Sequence, residues 1–395
     1  MKTAFTRING SVTAPRGFRA AGFAAGLKAS GKKDMALLVS DKPAVVAAVF
    51  TTNQVKAAPV KLSMQHAKSG KASAIVVNSA NANACTGSSG MIHARAMACA
   101  VARRFGCAEN HVLVCSTGRI GVNLPIVKVE TGIKHLLGIL SSRGGAAAAQ
   151  AIMTTDTFAK QVAVQFKAGG RTIRIGGIAK GAGMIQPNMA TMLSFLTTDA
   201  AIPRAALQKA LTHAVNHSFN RITVDGDTST NDTVIVLANG VAGAPPLAKF
   251  QEALDFVCLE LAKMIVRDGE GVSKFVTLTV RGAASDHDAV IAARSVANSV
   301  LVKTSWCGGD PNWGRILDAL GYSRAKVDAD LVDVSYNGVP ATRGGMATRT
   351  PLAKLRKIVA QPTFTIDVQL HLGRGHCTMH TCDLTEKYVE LNKGE

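Results

Sequence analysis

Val162-Ala163-Val164-Gln165-Phe166 and Thr172-Ile173-Arg174-Ile175 alternate in side-chain character, and Gly169-Gly170 lies between them. That pattern predicts a β-hairpin. Its second strand runs toward Lys180, where a loop punctuated by glycine and proline begins: Lys180-Gly181-Ala182-Gly183-Met184-Ile185-Gln186-Pro187-Asn188-Met189-Ala190-Thr191. A mostly apolar run, 192–196, follows and predicts another strand. Further out, 35–39, 44–50 and 74–77 read as short buried strands. Residues 91–105, 127–140 and 146–153 read as helices, and Pro203 opens another through about 216. Residues 247–266, 289–298 and 313–320 are helical, whereas 275–280, 332–336 and 364–372 read as strands. Hairpins and helices in mixed order predict an α+β fold, layered as helices on sheets, over a doubly wound one.

Composition limits the function classes. The chain has 395 residues, of which 47% are hydrophobic, 18% charged and 5% aromatic. That supports a large core and a globular chain. No apolar run is long enough to span a bilayer, and the first residues lack the apolar segment of a signal peptide. The expectation is a cytoplasmic protein without a membrane partner. Net charge is +19, from 45 basic and 26 acidic residues. The basic residues are dispersed and aromatics are few, which disfavours nucleic-acid binding and suits steering of small anions. The eight cysteines are scattered and read as buried thiols. His376, Cys377, His380 and Cys382 cluster on a predicted strand, where neighbours point to opposite faces. They lack paired zinc spacing, so no metal is expected.

The loop ending in Ala190 and Thr191 carries the strongest chemical suggestion. A threonine inside a chain is a poor nucleophile. Cutting the bond before Thr191 would give it a free α-amine with a pKa of roughly 8, a built-in general base beside its own hydroxyl. A turn leading into a buried strand explains the same residues. Other loops carry weaker signals. Ser116-Thr117-Gly118-Arg119-Ile120-Gly121 follows an apolar strand and offers a hydroxyl and backbone N–H groups. Met153-Thr154-Thr155-Asp156-Thr157 is dense in hydroxyls. Asp268-Gly269-Glu270-Gly271 places an acid between glycines; it suits an ammonium group or a helix stop. Asp225 to Asp232 lacks the full spacing of a calcium loop. Cys307-Gly308-Gly309-Asp310-Pro311-Asn312-Trp313-Gly314-Arg315 reads as a site wall or a connecting turn. An isolated Lys180 is more often a surface residue.

Taken together, these segments resemble the ornithine acetyltransferases (glutamate N-acetyltransferases) of arginine biosynthesis, nearly end to end. The resemblance is carried by Val76-Val77-Asn78-Ser79-Ala80-Asn81-Ala82-Asn83-Ala84-Cys85-Thr86-Gly87, Ser116-Thr117-Gly118, residues 153–157, the block 180–193, residues 223–232, Asp268-Gly269-Glu270-Gly271, residues 310–315 and Cys382-Asp383-Leu384-Thr385. It implies a layered α/β/β/α-type sandwich of mixed sheets, self-cleaved between Ala190 and Thr191. The products would be an α chain, 1–190, and a β chain, 191–395, intertwined and assembled as two α and two β chains.

The resemblance further implies that Thr191 is the nucleophile and that Thr117 and Gly118 form the oxyanion hole. Thr154, Lys180, Glu270 and Asn392 match substrate contacts. N-acetylornithine and glutamate are the implied substrates, with no cofactor; whether acetyl-CoA also donates acetyl is left open. A self-processing aminopeptidase or amidase on a related scaffold is the main competing reading, although its usual nucleophile is serine. Two departures stand out. Ala80 occupies a position where the family commonly has glycine, a change expected to affect packing. The family usually continues past Asn392 to a terminal Thr or Ser contact, whereas Lys393-Gly394-Glu395 follows here.

Overall fold

Residues 5–186 and 192–393 are described by the structure, a computed structural model. Contacts divide it into two compact units: Met1–Asn220 with Asp227–Ile265, and Arg221–Gly226 with Val266–Glu395.

The first unit holds the strands β1 (Thr6–Ile8), β2 (Phe18–Phe23), β3 (Met35–Phe50), β4 (Lys71–Asn78), β5 (Val112–Ser116), β6 (Lys160–Ala168), β7 (Arg171–Lys180), β8 (Leu193–Ala200) and β9 (Thr233–Gly243). Its helices are α1 (Ala58–Ala67), α2 (Gly87–Phe105), α3 (Ile126–Gly138), α4 (Gly145–Ala151), α5 (Arg204–Asn216) and most of α6 (Leu247–Arg267). One sheet runs β1-β6-β7-β8-β9-β3-β4-β5, with β2 also on β3. The pairs β4–β5 and β8–β9 are parallel; the predicted β6–β7 hairpin is antiparallel.

β3 corrects one expectation: 35–39 and 44–50 are parts of a single strand. Asp41, Lys42 and Pro43 are exposed at its bend, where the register on β4 shifts between Val39 and Ala44. The stretch beyond the bend pairs with β9. Proline lacks an N–H for the ladder, so the bend at Pro43 looked in sequence like a strand end.

Alternate residues of β3 enter different cores, as a two-residue period requires. Leu37 and Val39 pack with Met97 of α2 and Ile133 of α3. Ala36 and Leu38 pack with Ile178, Phe195 and Ile235 of β7, β8 and β9, and with Ala148 of α4. The sheet therefore curls so that its two halves share a core. On the far side, a Cβ at Gly177 of β7 would strike Val257 and Leu261 of α6, and Gln208 of α5 hydrogen-bonds Ala48 of β3. Helix, sheet, sheet and helix thus stack within this unit, as the α+β layered expectation required.

The second unit contains β10 (Phe275–Ala283), β11 (Asp333–Tyr336), β12 (Val339–Arg343), β13 (Met346–Ala347), β14 (Thr363–Gln369) and β15 (Gly375–Cys382), ordered β13-β12-β11-β14-β10-β15. Its helices are α7 (Asp286–Asn298), α8 (Val300–Cys307), α9 (Trp313–Gly321), α10 (Leu352–Val359) and α11 (Glu386–Leu391). The sheet is mixed, because β10 runs parallel to β14 and antiparallel to β15. Val276, Leu278 and Val280 meet Ala289, Ala293 and Trp306 in its core.

Ala190 and Thr191, with the expected division between them, lie outside the described residues. The strands on either side of them, β7 and β8, pair antiparallel from Ile175↔Thr198 to Lys180↔Leu193. No helix among the described residues is long and apolar enough to cross a membrane.

Candidate active site

The loop after β5 is held by amides. Asn78, the last residue of β4, accepts the Ser116 hydroxyl at 2.6 Å through Oδ1 and the Thr117 N–H at 3.0 Å through its carbonyl. Its Nδ2 donates to the Asn81 carbonyl. Asn231, just before β9, donates through Nδ2 to the carbonyls of Ala82, at 2.6 Å, and Ser116, at 2.8 Å. Thr230 Oγ1 donates to Asn231 Oδ1 at 2.6 Å, which fixes the amide's orientation. Each of these buried polar side chains is satisfied by a specific partner, so the loop has one low-energy placement.

Two backbone positions sharpen the loop. Gly118 has φ +128, and a Cβ there would overlap the Ala80 carbonyl group. Ala80 itself has φ +78, a left-handed conformation that disfavours a side chain. This corrects the packing expectation: alanine at position 80 strains the backbone. The Arg119 N–H donates to the Ala80 carbonyl at 3.2 Å and Ala82 N–H to the Arg119 carbonyl at 2.9 Å. Among the described residues the Gly118 N–H and the Thr117 hydroxyl have no acceptor, and Gly118 is exposed. A hydroxyl and an N–H on consecutive residues of a pinned loop are suited to hold an oxyanion.

A second polar centre surrounds Asp156. Its side chain is fully buried, as is that of Lys160, whose Nζ lies 2.6 Å from Oδ1. Gly181 N–H donates to Oδ1 at 2.7 Å, and Thr154 N–H to Oδ2 at 2.9 Å. Burial alone would raise the Asp156 carboxyl. The charges of Lys180 and Lys160, with the hydrogen bonds, overcome that and hold it well below the usual carboxylate range. Lys180 closes β7 and is buried, against the surface expectation. Burial likewise lowers the Lys28 ammonium, opposed by Asp34 and Asp156.

Ser79 connects the two centres. It sits between Asn78 and Ala80, and its hydroxyl donates at 2.7 Å to the carbonyl of Ala151, shortly before Thr154. Thr117, Gly118, Thr154 and Lys180 thus belong to one unit. The register also aligns Lys180 with Leu193, and Leu193 with Thr233 of β9. The Thr233 N–H donates to the Met192 carbonyl at 3.0 Å.

In the second unit Glu270 is half-buried, and Asn392 Nδ2 donates to its Oε2 at 2.9 Å and to the Tyr388 carbonyl at 2.9 Å. Tyr388 Oη donates to Asp225 Oδ2 at 3.4 Å. Gly271 has φ +69, and a Cβ there would press on the Tyr388 backbone. Glu270 and Asn392 are therefore in direct contact. The stretch 308–312 connects α8 to α9, and Asn312 Oδ1 caps α9 by accepting the Arg315 N–H.

Asp156, Asn231 and Asn78 were not singled out in the sequence. All three lie in quoted motifs, but only their long-range partners distinguish them. All eight cysteines are free; Cys115, Cys258, Cys377 and Cys382 are buried as expected, whereas Cys85 and Cys307 are exposed. Among the described residues no cluster of His, Cys, Asp or Glu is arranged to hold a metal ion.

A family model described as the ArgJ family matches residues 19–394. The arginine biosynthesis bifunctional protein ArgJ of Geobacter sulfurreducens is 51% identical over 385 residues, covering 95% of this chain and 98% of that protein. The protein of the same name from Symbiobacterium thermophilum is 49% identical over 394 residues, 98% of each chain. A crystal structure of Bacillus halodurans ArgJ aligns at 40% identity with a TM-score of 0.46, over 49% of this chain and 100% of that one.

Proposed function

Because the chain belongs to the ArgJ family, we propose that it transfers acetyl from N-acetylornithine to glutamate through an acetyl ester on Thr191. The observation that carries the chemistry is the Thr117 hydroxyl beside the Gly118 N–H, both without an acceptor among the described residues. Scission of the bond between Ala190 and Thr191 frees the Thr191 α-amine. That amine takes the hydroxyl proton as the oxygen attacks the acetyl carbonyl. Thr117 and Gly118 stabilise the resulting oxyanion, a contribution of roughly 100-fold or more per donor. The ornithine amine leaves with the proton returned by the Thr191 ammonium. The glutamate amine then attacks the ester, giving N-acetylglutamate and restoring the hydroxyl.

Thr154, Lys180, Glu270 and Asn392 contact the substrates. Lys180 suits a carboxylate and Glu270 an ammonium. Exchange of one amide for another needs little driving force, so the essential condition is that water be kept from the ester. The relatives' designation as bifunctional supports a second activity, acetylation of glutamate from acetyl-CoA. The assembly is two α and two β chains.

The test is incubation with N-acetylornithine, with and without glutamate. Transfer yields N-acetylglutamate only when glutamate is present; acetate released at the same rate without it indicates a hydrolase. Thr191→Ala abolishes both cleavage and transfer. An active protein that stays full length on a denaturing gel contradicts the mechanism. Thiol release from acetyl-CoA in the presence of glutamate reads the second activity, and mass in solution reads the assembly.

A further inference from the structure

The buried Asp156 carboxylate is held both by Thr154, a proposed substrate contact, and by Gly181, the residue after Lys180. It receives Thr154 through N–H at 2.9 Å and through Oγ1 at 3.5 Å. It receives Gly181 N–H, the residue joined to Lys180, at 2.7 Å. Lys160 Nζ, at 2.6 Å, holds the carboxylate from the first residue of β6, which pairs with Ala179 of β7. A carboxylate serving only to neutralise Lys160 would need that single contact. Here it also ties the turn after α4 to the end of β7.

We propose that Asp156 is a positioning residue that fixes Thr154 relative to Lys180 and so sets the grip on the amino-acid substrate. This rests on the reading of Thr154 and Lys180 as substrate contacts. The Asp156 carboxylate does not touch substrate. It defines the distance between a hydroxyl-bearing turn and an ammonium, the two groups that would meet the carboxylate end of ornithine or glutamate. A misplacement of about 1 Å from outside the reacting atoms is enough to cost 100-fold in such a site.

Ion-pair stability and positioning are separable by a pair of variants. Asp156→Asn keeps the shape but removes the carboxylate charge that faces the buried Lys160 ammonium at 2.6 Å. Asp156→Asn combined with Lys160→Met removes both charges. Thermal midpoints and ornithine dissociation constants, by calorimetry, are measured for wild type and both variants in the same state of cleavage; binding is read without turnover. The expected result is a lowered midpoint for the single variant, largely restored in the double variant. Ornithine binding is weakened 10-fold or more in both. Wild-type affinity in the double variant would show that Asp156 serves the ion pair alone and overturn the proposal. If neither neutral variant folds, Asp156→Glu retains the charge while displacing the oxygens by one methylene; wild-type affinity there overturns it equally. Absence of acetyl transfer by the wild-type protein would be a failure of the functional reading instead, and the transfer assay detects it independently.

Discussion

The Asn231 side-chain amide donates to the Ser116 carbonyl at 2.8 Å, one residue before Thr117. The same nitrogen holds the Ala82 carbonyl. Both acceptors are thereby fixed by a side chain that arrives from the end of the loop before β9. Asn231→Ala removes the donor from two buried carbonyls, an expected loss of about 1–3 kcal/mol. The Thr117–Gly118 loop loses its clamp at the same time. Denaturant unfolding should show the lost stability, and acetyl transfer should fall by more than the unfolded fraction explains. A variant with reduced stability but unaltered specific activity would limit Asn231 to a structural role.

A Cβ at Gly118 would collide with the Ala80 backbone. Gly118→Ala must therefore move the loop that carries the proposed oxyanion donors, and kcat/KM should drop by about 100-fold or more. Gly121 is the control. It also has a positive φ, +80, but a Cβ there meets nothing within 4 Å. Gly121→Ala should carry only a conformational cost of about 1–2 kcal/mol. Equal kinetic damage from the two substitutions would argue against a special placement of Gly118.

Ala80 sits at φ +78. Glycine relieves a strain of about 1–2 kcal/mol for a left-handed residue, against an entropic cost of roughly 0.5–1 kcal/mol. Ala80→Gly should therefore raise the thermal midpoint by a few degrees without loss of transfer. A lowered midpoint would mean that the alanine methyl contributes packing greater than the strain.

The hairpin at 162–175 and the strand after the central loop were legible because period-two alternation and a Gly-Gly pair are local signals. β3 was not read whole, since Pro43 interrupts the ladder and the change of partner along one edge, from β2 to β9, is invisible along the chain. Thr117, Gly118, Thr154, Lys180, Glu270 and Asn392 were named through the family resemblance; spacing alone left turns, caps or a surface lysine open at the first five and said nothing of Asn392. Asp156 escaped notice among hydroxyls because its significance lies in Gly181, which reaches it only once β6 and β7 are paired. Asn231 escaped for the same reason, its partners Ala82 and Ser116 lying more than 100 residues earlier in the chain.

The carboxyl of Asp156 gives stability a direction with pH. Burial would raise it, but Lys180 and Lys160 hold it below the usual range. In the unfolded chain an aspartate titrates near 3.9. The folded state thus binds fewer protons between those two values. Its contribution is fully present above about pH 4 and is lost as pH falls toward the folded value. Asp156→Asn should lower stability near neutral pH by about 3–5 kcal/mol, because the buried Lys160 ammonium loses the Asp156 charge. The variant should also lose part of the wild-type slope below about pH 4. Denaturant midpoints taken from pH 7 to pH 3 check both; an unchanged acid slope would place the titration elsewhere.

Strand β7 ends at Lys180 and β8 begins at Leu193, and these two residues are partners in one ladder. The same shared core contains Ile178 from before the proposed cut and Phe195 and Ile235 from after it. β9 also pairs with β3 along Val45↔Ala238 to Phe50↔Thr233. Cutting one peptide bond between β7 and β8 removes none of these contacts. The two fragments should therefore coelute under native conditions and separate only in denaturant. Their separate refolding should fail, since each would expose one side of a common core. Recovery of either fragment alone as a stable folded species would contradict the intertwined arrangement.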